Sequence, residues 1–273
     1  MKNVLKNFYC DYILLRMGGL SASDKIIFLF QKYIFFIFKL FGNNKVKLLG
    51  IGYDPGDGWG LLGIEIMLKD FYKYYYIKNL KSPVIVDVGA CVGNFTLAAN
   101  VFYKNSKIYS IEPVKETYHL LEFNTKNYQN VCNFNIGIGD KNEIKTIYFS
   151  KEEKDRSSFH KENISKGVVM DMEEIAVNTL DTFFNGHDIK KVDILKIDVE
   201  GFEKEVIDGL GNMIDIVQHV IIEIHLSKNK NNFAYINSYL DKKGFVLSKF
   251  GKFWVTEGGD IDIFDVIYKR ECP

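Results

Sequence analysis

From Pro83 onward, short β-branched runs alternate with segments in which apolar side chains recur every three or four positions. That is the pattern of βαβ units built around a mostly parallel sheet. Val84–Val88 and Lys107–Ile111 read as the first two strands, residues 115–127 as a helix, and residues 131–136 as a third strand. Residues 144–149 add another strand, followed by a polar insertion that contains Ser157 and Ser158. Residues 193–198 supply a fourth core strand and 202–210 a helix after it; residues 219–225 supply a fifth strand and 231–242 a further helix. Two closing runs, 245–250 and 263–268, flank Gly258 and Gly259 and suit an antiparallel pair.

The first 80 residues follow a different pattern. Helical apolar runs lead to a glycine-rich stretch, Gly50 to Gly60, and then to the aromatic run Phe71–Tyr76. The expected organisation is a helical N-terminal cap or oligomerisation region over 1–80 and a ligand-binding domain over 81–273. The run from Ile26 to Phe38 is shorter than the ~20 apolar residues that a membrane span requires, and Gln31 and Lys32 interrupt it. It reads as a helix covered by the protein's own core or by a partner; an intramolecular core is the favoured fate of Phe35, Phe36, Phe38 and Phe41 and an interface patch the alternative, and residues 20–42 are expected to contribute to a homo-oligomer. No small-residue cleavage site follows the run, and a cytoplasmic protein is expected.

Charge and cysteine content narrow the partners. Lys+Arg and Asp+Glu are each 35, so no global field draws the chain to nucleic acid or to an acidic membrane surface. Cys10, Cys91, Cys132 and Cys272 lie far apart, which fits reduced thiols and neither a zinc ribbon nor a disulfide framework.

The local chemistry begins at the end of the first strand, where Asp87-Val-Gly89-Ala90-Cys91-Val-Gly93 turns into a helix. A dinucleotide fingerprint needs glycines at spacings i, i+2 and i+5, and Cys91 and Asn94 occupy the last two positions, which disfavours a nicotinamide-dependent oxidoreductase. No phosphate-cradling P-loop is formed either. The surviving D-x-G-x-x-x-G spacing is that of S-adenosylmethionine enzymes, whose sulfonium ligand carries no phosphate to cradle. Glu112 ends the second strand, where α/β nucleotide domains keep an acid to accept hydrogen bonds from ribose hydroxyls.

Taken in order, these stretches resemble the FkbM-type S-adenosylmethionine methyltransferases. The resemblance runs through Ile85–Gly93, Ile111-Glu112-Pro113, Ile138-Gly139-Asp140, Ser157-Ser158 and Asn178–Asp181, then Leu195–Gly201 with Glu203, and Ile222–His225. It implies a Rossmann-like class I methyltransferase fold, α/β, with a mostly parallel seven-stranded sheet and an antiparallel last strand. It also implies O-methylation of sugars or polyketide-like metabolites, here read as a sugar or nucleotide-activated sugar of bacterial surface polysaccharide biosynthesis. The cofactor-binding set is then Asp87, Gly89, Ala90, Cys91, Gly93, Glu112 and Asp198, with Cys91 standing where the family usually has Asn. No side chain is assigned to the adenine.

Ligands of an open α/β sheet lie beyond the carboxyl ends of the strands at the switch point, here between the first and fourth strands. Asp198 and Glu200 leave the fourth strand there, and Glu223 and His225 share one face of the fifth. A neutral imidazole suits proton abstraction from an acceptor hydroxyl, so His225 is the expected base, with Asp198 or Glu223 orienting its second nitrogen. The same residues also suit a divalent ion, with Asp198, Glu223 and His225 as ligands; a histidine held at a strand end by hydrogen bonds alone is the plain alternative. Ser157, Ser158 and His160 are the expected substrate contacts.

Overall fold

The computed structural model describes residues 22–23, 25–26, 29, 46–48, 51–53, 67–150, 157–161, 169–226 and 232–271. Most of the apolar run 26–38, the expected oligomer segment 20–42 and the Gly50–Gly60 stretch therefore lie outside the described residues. So do Cys10 and Cys272; Cys91 and Cys132 form no disulfide.

In chain order the strands are β1 (Val46–Leu48), β2 (Ile51–Tyr53), β3 (Val84–Val88), β4 (Lys107–Ile111), β5 (Val131–Phe134), β6 (Gly137–Ile138), β7 (Glu143–Ser150), β8 (Ser157–Ser158), β9 (Met170–Asn178), β10 (Ile194–Ile197), β11 (His219–His225), β12 (Phe245–Val255) and β13 (Ile261–Arg270). The helices are α1 (Asn94–Phe102), α2 (Lys115–Thr125), α3 (Leu180–Gly186), α4 (Glu203–Asp208) and α5 (Asn232–Lys242). The seven-stranded sheet has the order β12-β13-β11-β10-β3-β4-β5. The pairs β11/β10, β10/β3, β3/β4 and β4/β5 are parallel, and β13 is antiparallel to both of its neighbours. This is the expected Rossmann-like class I methyltransferase sheet, with the order reversing between β3 and β10.

The period of two along each strand sends alternate side chains into two separate cores. Val86, Tyr109, Leu195, Ile222 and Val266 pack with Phe183 and Phe184 of α3, Val206 of α4 and Leu240 of α5. Ile85, Ile108, Ile194, Ile221 and Ile267 face the other way, against Leu97 and Phe102 of α1 and against Met67, Leu68 and Phe71. The aromatic run expected in the N-terminal cap is thus built into the sheet's own core: Phe71 opens a short π-helical turn and stacks on Phe102 with ring centroids 5.3 Å apart. Tyr76 stacks on Tyr103 at 5.5 Å.

A smaller sheet, order β6-β9-β7-β8, packs beside the main one. Its strand β9 was not legible in the sequence because Met170-Asp-Met-Glu-Glu174 buries little and only Ile175 and Val177 reach a core. Ser158 Oγ donates to the Glu200 carbonyl at 3.0 Å, and Phe159 packs on Phe202 at 4.7 Å, so this sheet is tied to the loop that follows β10.

At the far edge Arg270 fastens the end of β13 to three backbone carbonyls, donating to Val217 (2.9 Å), Lys243 (2.9 Å) and Ile214 (2.6 Å). Replacing it leaves those acceptors without their charged donor. Arg270→Ala is expected to lower stability by about 2–4 kcal/mol, seen as a lower urea midpoint with an unchanged slope.

Candidate active site

On the face of α1, the strands change from apolar to polar as they approach their carboxyl ends. In register, Ser110, Asp87 and Lys196 lie side by side on β4, β3 and β10, one pleat beyond Ile108, Ile85 and Ile194. Across β11 and β13, Glu223 pairs with Asp265. This polar end is where the sequence motifs converge.

The turn after β3 is set by close approach. Gly89 has φ +79, and a Cβ there would lie 1.8 Å from the Asp198 carbonyl oxygen, so only glycine lets the β3 and β10 loops touch. Gly93, at φ +97, caps α1, and a Cβ on it would meet Leu121 at 2.9 Å. Cys91 adopts φ +51, a region in which Asn is more at home. Its amide donates to Glu112 Oε2 at 2.9 Å, while the Val114 amide donates to Oε1 at 2.9 Å. The contribution of position 91 is therefore a backbone one, which fixes the acid at the end of β4. Asp87 accepts from Thr96 Oγ1 at 2.7 Å, and Thr96 in turn bonds Ser110 at 2.6 Å. Burial pushes the Asp87 carboxyl up to about 6 and the Glu112 carboxyl up to about 7, in each case against hydrogen bonds that pull the other way.

Around the fifth strand the structure brings together Glu200, Glu223 and His225, while Asp198 beside them pairs with Lys196 at 3.0 Å. His225 is fully buried. Its Nε2 lies 3.3 Å from Glu200 Oε2 and 3.3 Å from Glu223 Oε1, yet is lined up for a hydrogen bond with neither. Its Nδ1 is 3.1 Å from Glu203 Oε1, so the second nitrogen is oriented by Glu203 and not by Asp198 or Glu223. Glu203 is itself held by the Gly201 amide (2.7 Å) and by Asn232 Nδ2 (3.2 Å). Glu200 sits at φ +53 followed by Gly201 at φ +97, a backbone that turns the Glu200 side chain back toward β11. Burial opposes a charge on His225, but the neighbouring carboxylates of Glu200 and Glu203 outweigh it and raise His225 to about 10. The surrounding acids thus favour the protonated form of an imidazole that was expected to act as a neutral base. Burial and the Asp198 carboxylate hold Glu223 well above the usual carboxylate range.

Three participants gave no functional signal in the sequence. Lys196, Asp265 and Tyr75 read there as strand and aromatic residues. In the fold, Tyr75 donates to Asp265 Oδ2 at 2.6 Å, and Lys196 is buried at the centre of the acids. Burial and the Asp265 charge raise the Tyr75 hydroxyl well above its ordinary value. Of the expected substrate contacts, Ser158 touches the Glu200 backbone and accepts from the His160 amide at 3.2 Å, and the His160 ring packs near Phe202 at 5.7 Å. Ser157 pairs with Phe149 in the small sheet.

Residues 87–247, more than half the chain, match the family model described as Methyltransferase FkbM domain. The chain belongs to that family. The FkbM domain contains the β3 turn, Glu112 and the whole Glu200–Glu223–His225 cluster. It is 28% identical over 204 residues to Methyltransferase 1 of Beauveria bassiana (strain ARSEF 2860), across 68% of this chain and 80% of that relative. Among solved structures it is similar to precorrin-6y C5,15-methyltransferase from Geobacter metallireducens GS-15, with TM-score 0.43 and 10% identity over 83% of this chain and 97% of that one. It is also similar to M. capricolum TrmK, solved with S-adenosyl-homocysteine, with TM-score 0.42 and 12% identity over 76% of this chain and 67% of that one. No helix among the described residues is long and apolar enough to cross a membrane.

The buried Glu112 carboxyl gives the FkbM domain a measurable pH signature. Its folded value, about 7, lies above its ordinary 4.5, so the folded protein takes up the proton first as pH falls. The carboxyl therefore costs stability above about pH 7, and that cost is relieved as pH drops toward 4.5. Glu112→Gln is expected to flatten the stability curve across this window, removing a change on the order of 3 kcal/mol. Urea midpoints at closely spaced pH values read it directly.

Proposed function

We propose that this methyltransferase uses S-adenosylmethionine to methylate a hydroxyl oxygen of a sugar or nucleotide-activated sugar, in bacterial surface polysaccharide biosynthesis. Family membership supports methyl transfer, and the observation that carries the cofactor reading is the Gly89 turn lying against a fixed, buried Glu112 at the switch point. Asp87, the 89–93 backbone and Glu112 would hold the cofactor, with Asp198 at its methyl end. When bound, the cofactor supplies an electrophilic methyl group.

The chain's own residues then have to place an acceptor hydroxyl and take its proton. In this reading the hydroxyl lies at the Glu200–Glu223–His225 cluster, with Ser157, Ser158 and His160 on the acceptor side. Glu223 accepts the proton, since a carboxyl held above its usual range is better matched to a proton acceptor at neutral pH than an ordinary one. His225, placed between them, orients Glu200 and Glu223. Lys196 holds the Asp198 side chain at 3.0 Å, where it would border the methyl end of the cofactor.

Incubation with methyl-labelled S-adenosylmethionine and a panel of nucleotide sugars tests the assignment. Label in an ether-linked methyl on the sugar is the expected product, and transfer confined to nitrogen or carbon acceptors would overturn it. Glu223→Gln is expected to reduce turnover by roughly 10²- to 10⁴-fold while cofactor affinity, titrated calorimetrically, stays within a few-fold of wild type.

A further inference from the structure

The cluster has a geometry that hydrogen bonding leaves unexplained. His225 Nε2 is fully buried and aimed between two carboxylate oxygens, 3.3 Å from each, without a hydrogen bond to either. We propose that Glu200 Oε2, Glu223 Oε1 and His225 Nε2 form a binding site for one divalent cation of the manganese or magnesium class. The proposal deepens the functional reading and rests on it for one point only, that the cation's remaining positions face the acceptor hydroxyl.

Spacing supports the site first. Two ligands about 2.1 Å from a common ion, at angles between octahedral and tetrahedral, stand roughly 3.0–3.4 Å apart, and both measured edges at His225 are 3.3 Å. All three ligand atoms lie within 4.8 Å of one another. Two hard oxygens with one imidazole nitrogen suit manganese or magnesium better than a thiolate-seeking ion.

Support for the imidazole is the second argument. A metal-bound histidine normally donates its other ring N–H to a carboxylate, which fixes the tautomer and aims the lone pair. Glu203 Oε1 stands 3.1 Å from Nδ1 in that position, and its own oxygens are fixed by the Gly201 amide and Asn232. Glu203 is fully buried and so fixed against His225.

Charge is the third. Asp198, Glu200, Glu203, Glu223 and Asp265 converge on the end of β10, β11 and β13, with Lys196 and His225 facing them and Tyr75 bonded to Asp265. Lys196 is committed to Asp198. A divalent cation in the place of the Nε2 proton would balance the Glu200 and Glu223 carboxylates that flank it. An acceptor that offers a hydroxyl oxygen would complete its coordination.

Chelator-stripped full-length protein titrated with manganese(II) alone tests this without any turnover. One equivalent should bind, with a rise of several degrees in melting temperature and a single imidazole nitrogen coupled to the manganese spin in pulsed electron paramagnetic resonance. Glu200→Gln, whose side chain is partly exposed and which is expected to fold, should weaken binding at least tenfold. Glu203→Gln should weaken it roughly 10- to 100-fold, as expected for the residue that orients a ligating histidine. Absence of stoichiometric binding, binding without nitrogen coupling, or wild-type affinity in Glu200→Gln would each overturn the site, leaving His225 protonated between the two acids. Oxygen methylation that persists undiminished in metal-stripped protein that binds no manganese would refute the cation and leave the functional reading standing. Manganese binding with no transfer to oxygen would do the opposite.

Discussion

Lys196 is the interaction on which the polar end of the sheet depends. Each strand that reaches this end on the α1 face brings a polar or acidic side chain with it, and a sheet core cannot bury so many carboxylates without compensation. The Lys196 ammonium, 3% exposed and 3.0 Å from Asp198, supplies that compensation from the middle of the row. Its charge offsets part of the rise that burial imposes on the carboxyls of Asp87, Glu223 and Asp265, and the acids in turn hold the lysine well above its ordinary range against the cost of burial. A hydrophobic residue here would fill the space and leave the surrounding acids to take up protons.

The rest of the site is arranged about this charge by backbone devices. Gly89 allows the β3 turn to lie on the carbonyl of Asp198, joining the expected cofactor side to the expected acceptor side with no side chain between them. Glu200 and Gly201, both at positive φ, reverse the chain so that the acid two residues after Asp198 points to β11. The small sheet then locks this reversal from outside through Ser158 and the Phe159–Phe202 contact. Segments far apart in sequence are thus coupled through one short loop.

The segment before β3 has a larger part in this arrangement than a cap would. Phe71 is buried on the isoleucine side of the sheet, and four residues later Tyr75 reaches Asp265. The same short turn therefore seals the apolar part of that face and supplies a hydrogen bond to its polar part. The conformational cost of ordering it is offset by the aromatic contacts of Phe71, stacked on Phe102, tilted against Phe95 and edge-on to Tyr103.

The sequence by itself determined the strands of the main sheet, the β3 turn and the acid that ends β4, because period-two burial and the glycine requirement are written locally. It also identified Glu200, Glu223 and His225 as neighbours of the switch point, since strand-end positions follow from topology. Strand β9 escaped it, having too few buried positions to show a period. The partner of His225 Nδ1 also escaped it: Glu203 belongs to the next helix, and its reach back to β11 depends on how α4 is set over the sheet. The choice between Asp198 and Glu200 beside His225 was likewise tertiary, because it follows from Lys196 claiming Asp198 and from the left-handed backbone at Glu200. The upward shift of His225 has the same source, since it comes from the acids packed around the imidazole and not from its position in a strand.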